Sequence, residues 1–434
     1  MGLKVLIIGA GSAGPVLALY LKRAGHEPVV YDVYDPVNAV NTGNPFFFGD
    51  IGGAVVLHPN GYRVLNELGI GDQALSASFP VDFGKFCKID GTVLAGVPFP
   101  GDKGTLPHNA LRSELQLLVG KACTQNKIKI FVNKKLVAIS ESEDSVTATF
   151  ADGSTAVGDI LVGADGAHSK VRNILFGDAS KSTFTGFMAN VGVCKLGTGA
   201  GENGEDLIME GPFNIFVDRF HKHHITVFRT SENTVSWTVA QLQTVPNELA
   251  SSGTFRPHSD LPKQQRRLAL MVEEWGVPKY FVDIVRNSTR ITEYGVFEAP
   301  ALPSYHKSRC VLIGDAAHSL RPDLGQGMNV SFEDAGCLGL LLGEFPDNFG
   351  MAFKLYDEMR VKRTQMVAAT AKRVSKLDIH DTQFGALLAN LAVRVFIGFF
   401  GKIFGLYDVV GTYEFKAEVE KVVAKKRLEY TAAK

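Results

Sequence analysis

The segment Gly9-Ala10-Gly11-Ser12-Ala13-Gly14 constrains this chain more than any other. It follows the apolar run Lys4–Ile8 and opens an apolar stretch over 15–24 that reads as a helix, and Asp32 closes the next apolar run. The first glycine permits a tight turn, the second lets a phosphate group approach the backbone, and the third lets helix and strand close together. Asp32, 18 residues past Gly14, is placed to accept hydrogen bonds from a ribose. Residues 4–32 therefore read as a βαβ unit that holds a dinucleotide on its turn.

The fingerprint by itself leaves NAD and FAD open. A second run, 159–172, is a strand followed by Asp165-Gly166, and a third, 309–329, places Gly314-Asp315 after Cys310-Val311-Leu312-Ile313 and continues through Pro322, Gly325, Gly327, Met328 and Asn329. In the third run a strand end and a helix start offer backbone N–H groups to an anion or an electron-rich ring edge. The three runs, in this order, resemble the motifs of the single-component aromatic-hydroxylase family of flavoprotein monooxygenases (group A, p-hydroxybenzoate hydroxylase-like), over about residues 3–345.

That resemblance implies an α/β fold. It comprises a Rossmann-like FAD domain of glutathione-reductase type, an inserted antiparallel substrate sheet and a C-terminal helical tail. The implied division is 1–180 for the first part of the FAD domain, with strands in 80–106 serving the substrate side, 181–300 for the substrate domain, 301–345 for the return to the FAD domain, and 346–434 for C-terminal helices. Non-covalent FAD would be held by Gly9, Gly11, Ser12, Ala13, Gly14, Asp32, Arg112, Asp165, Gly314, Asp315, Pro322, Gly325, Gly327, Met328 and Asn329. Within this set Asp315 is expected on the ribityl hydroxyls, Arg112 on the FAD phosphates, and the backbone of 327–329 on the flavin N1–C2=O edge. His318 is expected only to pack.

The activity implied is insertion of one atom of O2 into an aromatic or polycyclic small molecule, by hydroxylation or epoxidation through a C4a-hydroperoxyflavin, with NADPH or NADH as reductant and secondary metabolism as a setting. An oxidase, dehydrogenase or reductase on the same scaffold is the alternative, and a non-catalytic binding protein a second one. Asp50 and Asp323 are the candidate catalytic groups, because the family segments that contain them border the flavin ring and a carboxylate there could orient or deprotonate substrate. A second Rossmann fingerprint for NADPH is missing: Gly197-Thr198-Gly199-Ala200-Gly201 leads into an acidic, glycine-containing stretch and reads as a loop. The Trp-x-Trp signature of flavin halogenases is missing too, since Trp237 and Trp275 stand alone.

Lys plus Arg and Asp plus Glu both number 45, so no basic field would gather nucleic acid. The five cysteines are odd in number and scattered, which argues against a disulfide framework or zinc site and for a reducing, cytoplasmic setting. His221, His223 and His224 give no closed ligand set, and they read as a solvated turn. The first strand begins almost at Met1, leaving no room for a signal sequence. The apolar stretch 384–410 is broken by Arg394 and Lys402. Its stripe of Leu388, Leu391, Val395, Phe399, Ile403 and Leu406 reads as a helix that covers the domain body, with peripheral membrane contact as the less favoured use.

Overall fold

The computed structural model describes residues 2–33, 52–99, 101–197, 199, 207–243, 256–257, 260–376, 379–397 and 411–432. Asp50 lies outside them, as do Phe399, Ile403 and Leu406.

A six-stranded sheet forms the centre of the first body, in the order His306–Lys307, Cys310–Leu312, Ile160–Gly163, Lys4–Ile8, Glu27–Tyr31, Lys129–Phe131. All pairs are parallel except the edge hairpin formed by the first two. Strands covered on both faces should be apolar throughout, and Val5, Leu6, Ile7, Ile160, Leu161 and Val162 are fully buried. The register aligns Ile8 with Gly163 and Gly163 with Leu312. Three motifs separated by about 150 residues in sequence thereby end side by side, at the carboxyl edge where open α/β sheets bind ligands.

The helices Ala13–Arg23 and Gly327–Glu344 cross closely on this sheet because one partner offers no side chain. A Cβ at Gly339 would lie 2.4 Å from Cβ of Tyr20. Gly336 gives the same access to the ring of Phe415, which seats the last helix, Phe415–Ala432. The long helix Phe349–Ser375 completes the cover.

The second body is an eight-stranded sheet in the order Arg256–Pro257, Ser288–Glu298, Thr183–Lys195, Thr234–Leu242, His223–Ser231, Phe213–Asp218, Phe83–Lys88, Val93–Pro98. Its pairs are antiparallel except Phe213–Asp218 with Phe83–Lys88. Helices Leu261–Glu274 and Lys279–Arg286 cover one face, burying Trp237, Ile225, Val272 and Phe281 in a shared core. Alternation along these strands suggests one wet face. That other face is instead turned toward the first body: Ser236 Oγ accepts from Ala54 N at 3.0 Å, and a Cβ at Gly53 would strike Val191.

The helix Gln383–Ala392, continued by a π-helical turn to Ile397, lies against the second body with its stripe reversed from expectation. Ala386, Ala389 and Val393 face inward, whereas Leu388, Leu391 and Val395 are exposed. The small residues win the buried side because Val393 must fit beside Leu94 and Ala95 of the edge strand. No described helix is long and apolar enough to cross a membrane. All five cysteines are buried and free.

Candidate active site

The Gly-rich turn is shaped by what its glycines exclude. Gly9 has φ +114°, and its N–H donates to Tyr31 O at 2.7 Å. A Cβ there would lie 2.2 Å from Ala164 O, and one on Gly14 would lie 2.0 Å from Gly9 O, so both positions need glycine for the chain's own backbone. A Cβ on Gly11 would meet nothing within 4 Å. Gly11 is therefore bare toward open space, as a position that admits a phosphate group requires. One carboxylate oxygen of Asp32 accepts from Ala10 N at 2.6 Å, which fixes this acid beside the turn. Ser12 and Ala13 open the helix that points its positive end at the same space.

Asp165 sits one strand over, but its carboxylate is committed to the chain. It accepts from Ser169 Oγ at 2.5 Å, Lys170 N at 2.7 Å and Val171 N at 3.1 Å, capping the helix Lys170–Phe176. Burial pushes this carboxyl above its usual value, against the opposing pull of those bonds. The same helix carries Arg172, which is fully buried with no acid among its hydrogen-bond partners. Its guanidinium donates to the carbonyls of Ser180 (2.7 Å), Ala316 (3.2 Å), Ala317 (2.6 Å) and Pro300. Arg172 thus clamps the second motif onto the third.

In the third motif Gly314 has φ +60°, its N–H donates to Asp334 Oδ2 at 2.8 Å, and Asp315 follows with an exposed side chain. Arg112 opens the helix Arg112–Gln125 within electrostatic reach of Asp315 and of Tyr294 on the second sheet. Burial lowers the Arg112 guanidinium, while the charges of Asp315 and Tyr294 raise it. The Tyr294 phenol is raised by burial and drawn down by Arg112. Pro322 begins a single 3-10 turn, Gly325 takes the left-handed conformation at φ +61°, and Gly327 begins the long helix with open space at its Cβ position. Met328 is half-buried beside it, and Asn329 is fully buried. Asn329 locks this loop, accepting from His58 N at 2.9 Å and donating to Val56 O and Gly325 O.

A buried ionic network supports the loop from below, and no pattern in the sequence marks it. His318 Nε2 lies 2.5 Å from Asp334 Oδ2, Asp334 Oδ1 pairs with Arg360 Nε at 2.7 Å, and Glu333 pairs with both Arg360 (2.8 Å) and Arg363 (2.9 Å). Asn60 joins it by donating to Gln326 (2.9 Å) and Glu333 (2.6 Å). Burial would raise the Asp334 carboxyl, but the His318 and Arg360 charges and the Gly314 N–H outweigh it and hold the group below its usual value. His318 is thus a hydrogen-bond partner of Asp334 as well as a packing residue.

Asp323 pairs with Arg321 Nε at 3.0 Å, and Arg321 also donates to Ser375 Oγ and lies over the Phe187 ring. His221 and His223 stay together, with stacked rings 5.8 Å apart, and His224 follows in the strand His223–Ser231. His221 binds Asp218 at 2.7 Å, and His223 stacks on Trp275 with ring centroids 3.7 Å apart, so the turn is partly packed. Among the described residues no cluster of three or more His, Cys, Asp or Glu could hold a metal.

A carboxyl edge with a bare Gly11, an acid beside the turn, an exposed Asp315 within electrostatic reach of Arg112 and a bare Gly327 fits an elongated dinucleotide. These features define a flavin-dinucleotide protein. The chain belongs to the FAD-binding domain family, whose model matches residues 2–371. It is 25% identical over 373 residues to 6-hydroxynicotinate 3-monooxygenase of Bordetella bronchiseptica, covering 84% of this chain and 89% of that protein. It is 27% identical over 408 residues to 3-hydroxybenzoate 6-hydroxylase 1 of Aquipseudomonas alcaligenes, covering 89% and 92%. In three dimensions it resembles an HpxO variant of Klebsiella pneumoniae complexed with FAD, with TM-score 0.76 and 20% identity over 94% of this chain and 98% of that one. A salicylate hydroxylase substrate complex matches with TM-score 0.73 and 21% identity over 96% and 97%.

Proposed function

We propose that this protein is an FAD-dependent monooxygenase that uses NADPH or NADH and O2 to oxygenate an electron-rich aromatic or heteroaromatic small molecule. The observation that carries the reading is the meeting of three motifs at one sheet edge directly opposite a second sheet. The relatives' names add the chemistry: they include hydroxylases of hydroxynicotinate, hydroxybenzoate and urate. FAD supplies hydride acceptance and O2 activation when bound.

The chain's own residues divide the remaining work. Gly11 and the start of the helix Ala13–Arg23 take the pyrophosphate, Asp32 the adenosine ribose, and Asp315 with Arg112 the ribityl and phosphate region. Asp165, whose carboxylate is occupied, contributes through the backbone of its turn. The N–H groups of 327–329, at the start of the helix Gly327–Glu344, would be offered to the pyrimidine edge of the flavin, where preorganised dipoles stabilise negative charge without reorganising. The buried network under Gln326 and Asn329 keeps those dipoles in place. Tyr294 and the face of the second sheet turned toward the first body would cover the ring and exclude water, which an oxygenating flavin requires. Asp323 acts on substrate through or beside Arg321, and Asp50 is the second candidate for that step. The chain divides at 181 and 301 into FAD and substrate segments, the strands within 80–106 belong to the substrate side, and helices after 346 close the molecule.

Screening hydroxylated aromatic and heteroaromatic acids for accelerated NADPH or NADH oxidation by the holoprotein tests this reading. A substrate of the proposed class raises the rate well above the substrate-free leak. A flat response across the panel, in protein carrying a full complement of FAD, would contradict the substrate class.

A further inference from the structure

We propose that the outer face of the helix Gln383–Ala392, with Val395 beyond it, is a docking surface for a bilayer carrying anionic lipid. The helix is fixed to the substrate body on its inner side. Arg219 Nη1 donates to Asn390 Oδ1 at 2.6 Å, His380 N donates to Arg219 O at 3.0 Å, and Lys222 pairs with Asp381 at 2.8 Å. Thr382 caps its start by accepting from Gly385 N. With that side satisfied, a surface helix would ordinarily turn polar groups outward.

This one does the reverse. Phe384, Leu387, Leu388, Leu391 and Val395 stand 46–69% exposed, at positions that share one helical face. The patch continues across a shallow groove onto Val93 of the edge strand, 52% exposed, with Arg394 at its margin. Contiguous exposed apolar surface of this kind marks an interaction site.

Charge selects the occupant. The described residues 382–397 contain no Asp or Glu, and their one charged residue is Arg394. A two-fold contact with a second copy would bring the Arg394 of each copy to the other's apolar face, while the acid that precedes the helix, Asp381, is already paired with Lys222. An anionic bilayer meets the leucines and phenylalanine with its acyl region and the arginine with its headgroups. The contact is interfacial, since no described helix is long and apolar enough to cross. It does not depend on the catalytic reading.

Sedimentation of the holoprotein with phosphatidylcholine vesicles, with and without one-third phosphatidylglycerol, tests this proposal. The parent is expected to pellet with the anionic vesicles and to be released by salt. The variant Leu387→Glu/Leu391→Glu should lose at least about tenfold in bound fraction at unchanged flavin content, since both side chains point outward. Arg394→Glu should weaken binding to the anionic vesicles alone. A parent that stays in the supernatant with both vesicle types overturns the proposal, as does a double variant that pellets like the parent. A parent that is dimeric in solution and becomes monomeric in the double variant also overturns it, by assigning the face to a second copy.

Discussion

Arg172 Nη1 donates to the carbonyl of Ala317 at 2.6 Å across 145 residues of sequence, joining the second motif of the chain to the third. Four carbonyls share this one guanidinium in a fully buried place. Replacing it leaves buried acceptors unsatisfied, at about 1–3 kcal/mol for each that water cannot reach. Arg172→Leu should lower the thermal midpoint by several degrees and loosen FAD. Arg172→Lys should rescue little, because an ammonium cannot span a fan of acceptors. Differential scanning fluorimetry read beside flavin fluorescence checks both. A variant that melts like the parent would mean that the clamp is dispensable.

Two glycines of one turn should fail in different ways. Gly11→Val enters open space, so the protein should fold and retain its melting behaviour without cofactor while losing FAD. Gly14→Val strikes Gly9 O and should not yield stable protein. Asp315→Ala should resemble Gly11→Val, folded and flavin-poor, since its exposed carboxylate has the ribityl chain as its proposed partner. The ratio of flavin to protein absorbance in purified material decides. Full flavin content in Gly11→Val or Asp315→Ala would remove that residue from the cofactor site.

His58 makes stability depend on pH. Burial lowers its imidazole from 6.5 to about 4, so the unfolded chain binds this proton over a range where the folded chain does not. Folding stability contributed here is present above about pH 6.5 and is lost as pH falls toward 4, at about 1.4 kcal/mol per pKa unit and on the order of 3 kcal/mol in total. Because His58 N holds Asn329, FAD should loosen over the same window. Between pH 7 and pH 4 the urea midpoint of the parent should fall more steeply than that of His58→Gln. Parallel curves would contradict the assignment.

Asp323 is held by Arg321 and is proposed to act on substrate, so Asp323→Asn should keep its flavin while product formation falls about 10²-fold, the scale of one positioned acid or base. Reductant consumption should persist as peroxide release. Product formation equal to the parent's would reduce this acid to a partner of Arg321.

Local signals made the three turns at the sheet edge legible. Gly9 to Gly14, Gly314-Asp315 and Gly325 to Asn329 are short stretches whose turns need particular residues, so sequence reveals them. The supporting network was illegible for a physical reason. Glu333, Asp334, Arg360 and Arg363 lie on two helices and read one at a time as surface charges; only packing of Gly327–Glu344 against Phe349–Ser375 makes them buried pairs. Periodicity likewise identified the helix at 383 but not its inward side, because the edge strand admits Ala386, Ala389 and Val393 where larger leucines would not fit. The histidine turn misled for a similar reason, since Trp275 comes from a helix some 50 residues later to stack on His223.

Oxygen-18 labelling tests the central claim most directly. Holoprotein turning over a substrate from the screen under 18O2 should place one labelled atom in the organic product and the other in water, at a ratio approaching one product per reductant consumed. Label recovered only in hydrogen peroxide, with a substrate that has lost hydrogen and gained no oxygen, would contradict the account and make the protein a flavin oxidase.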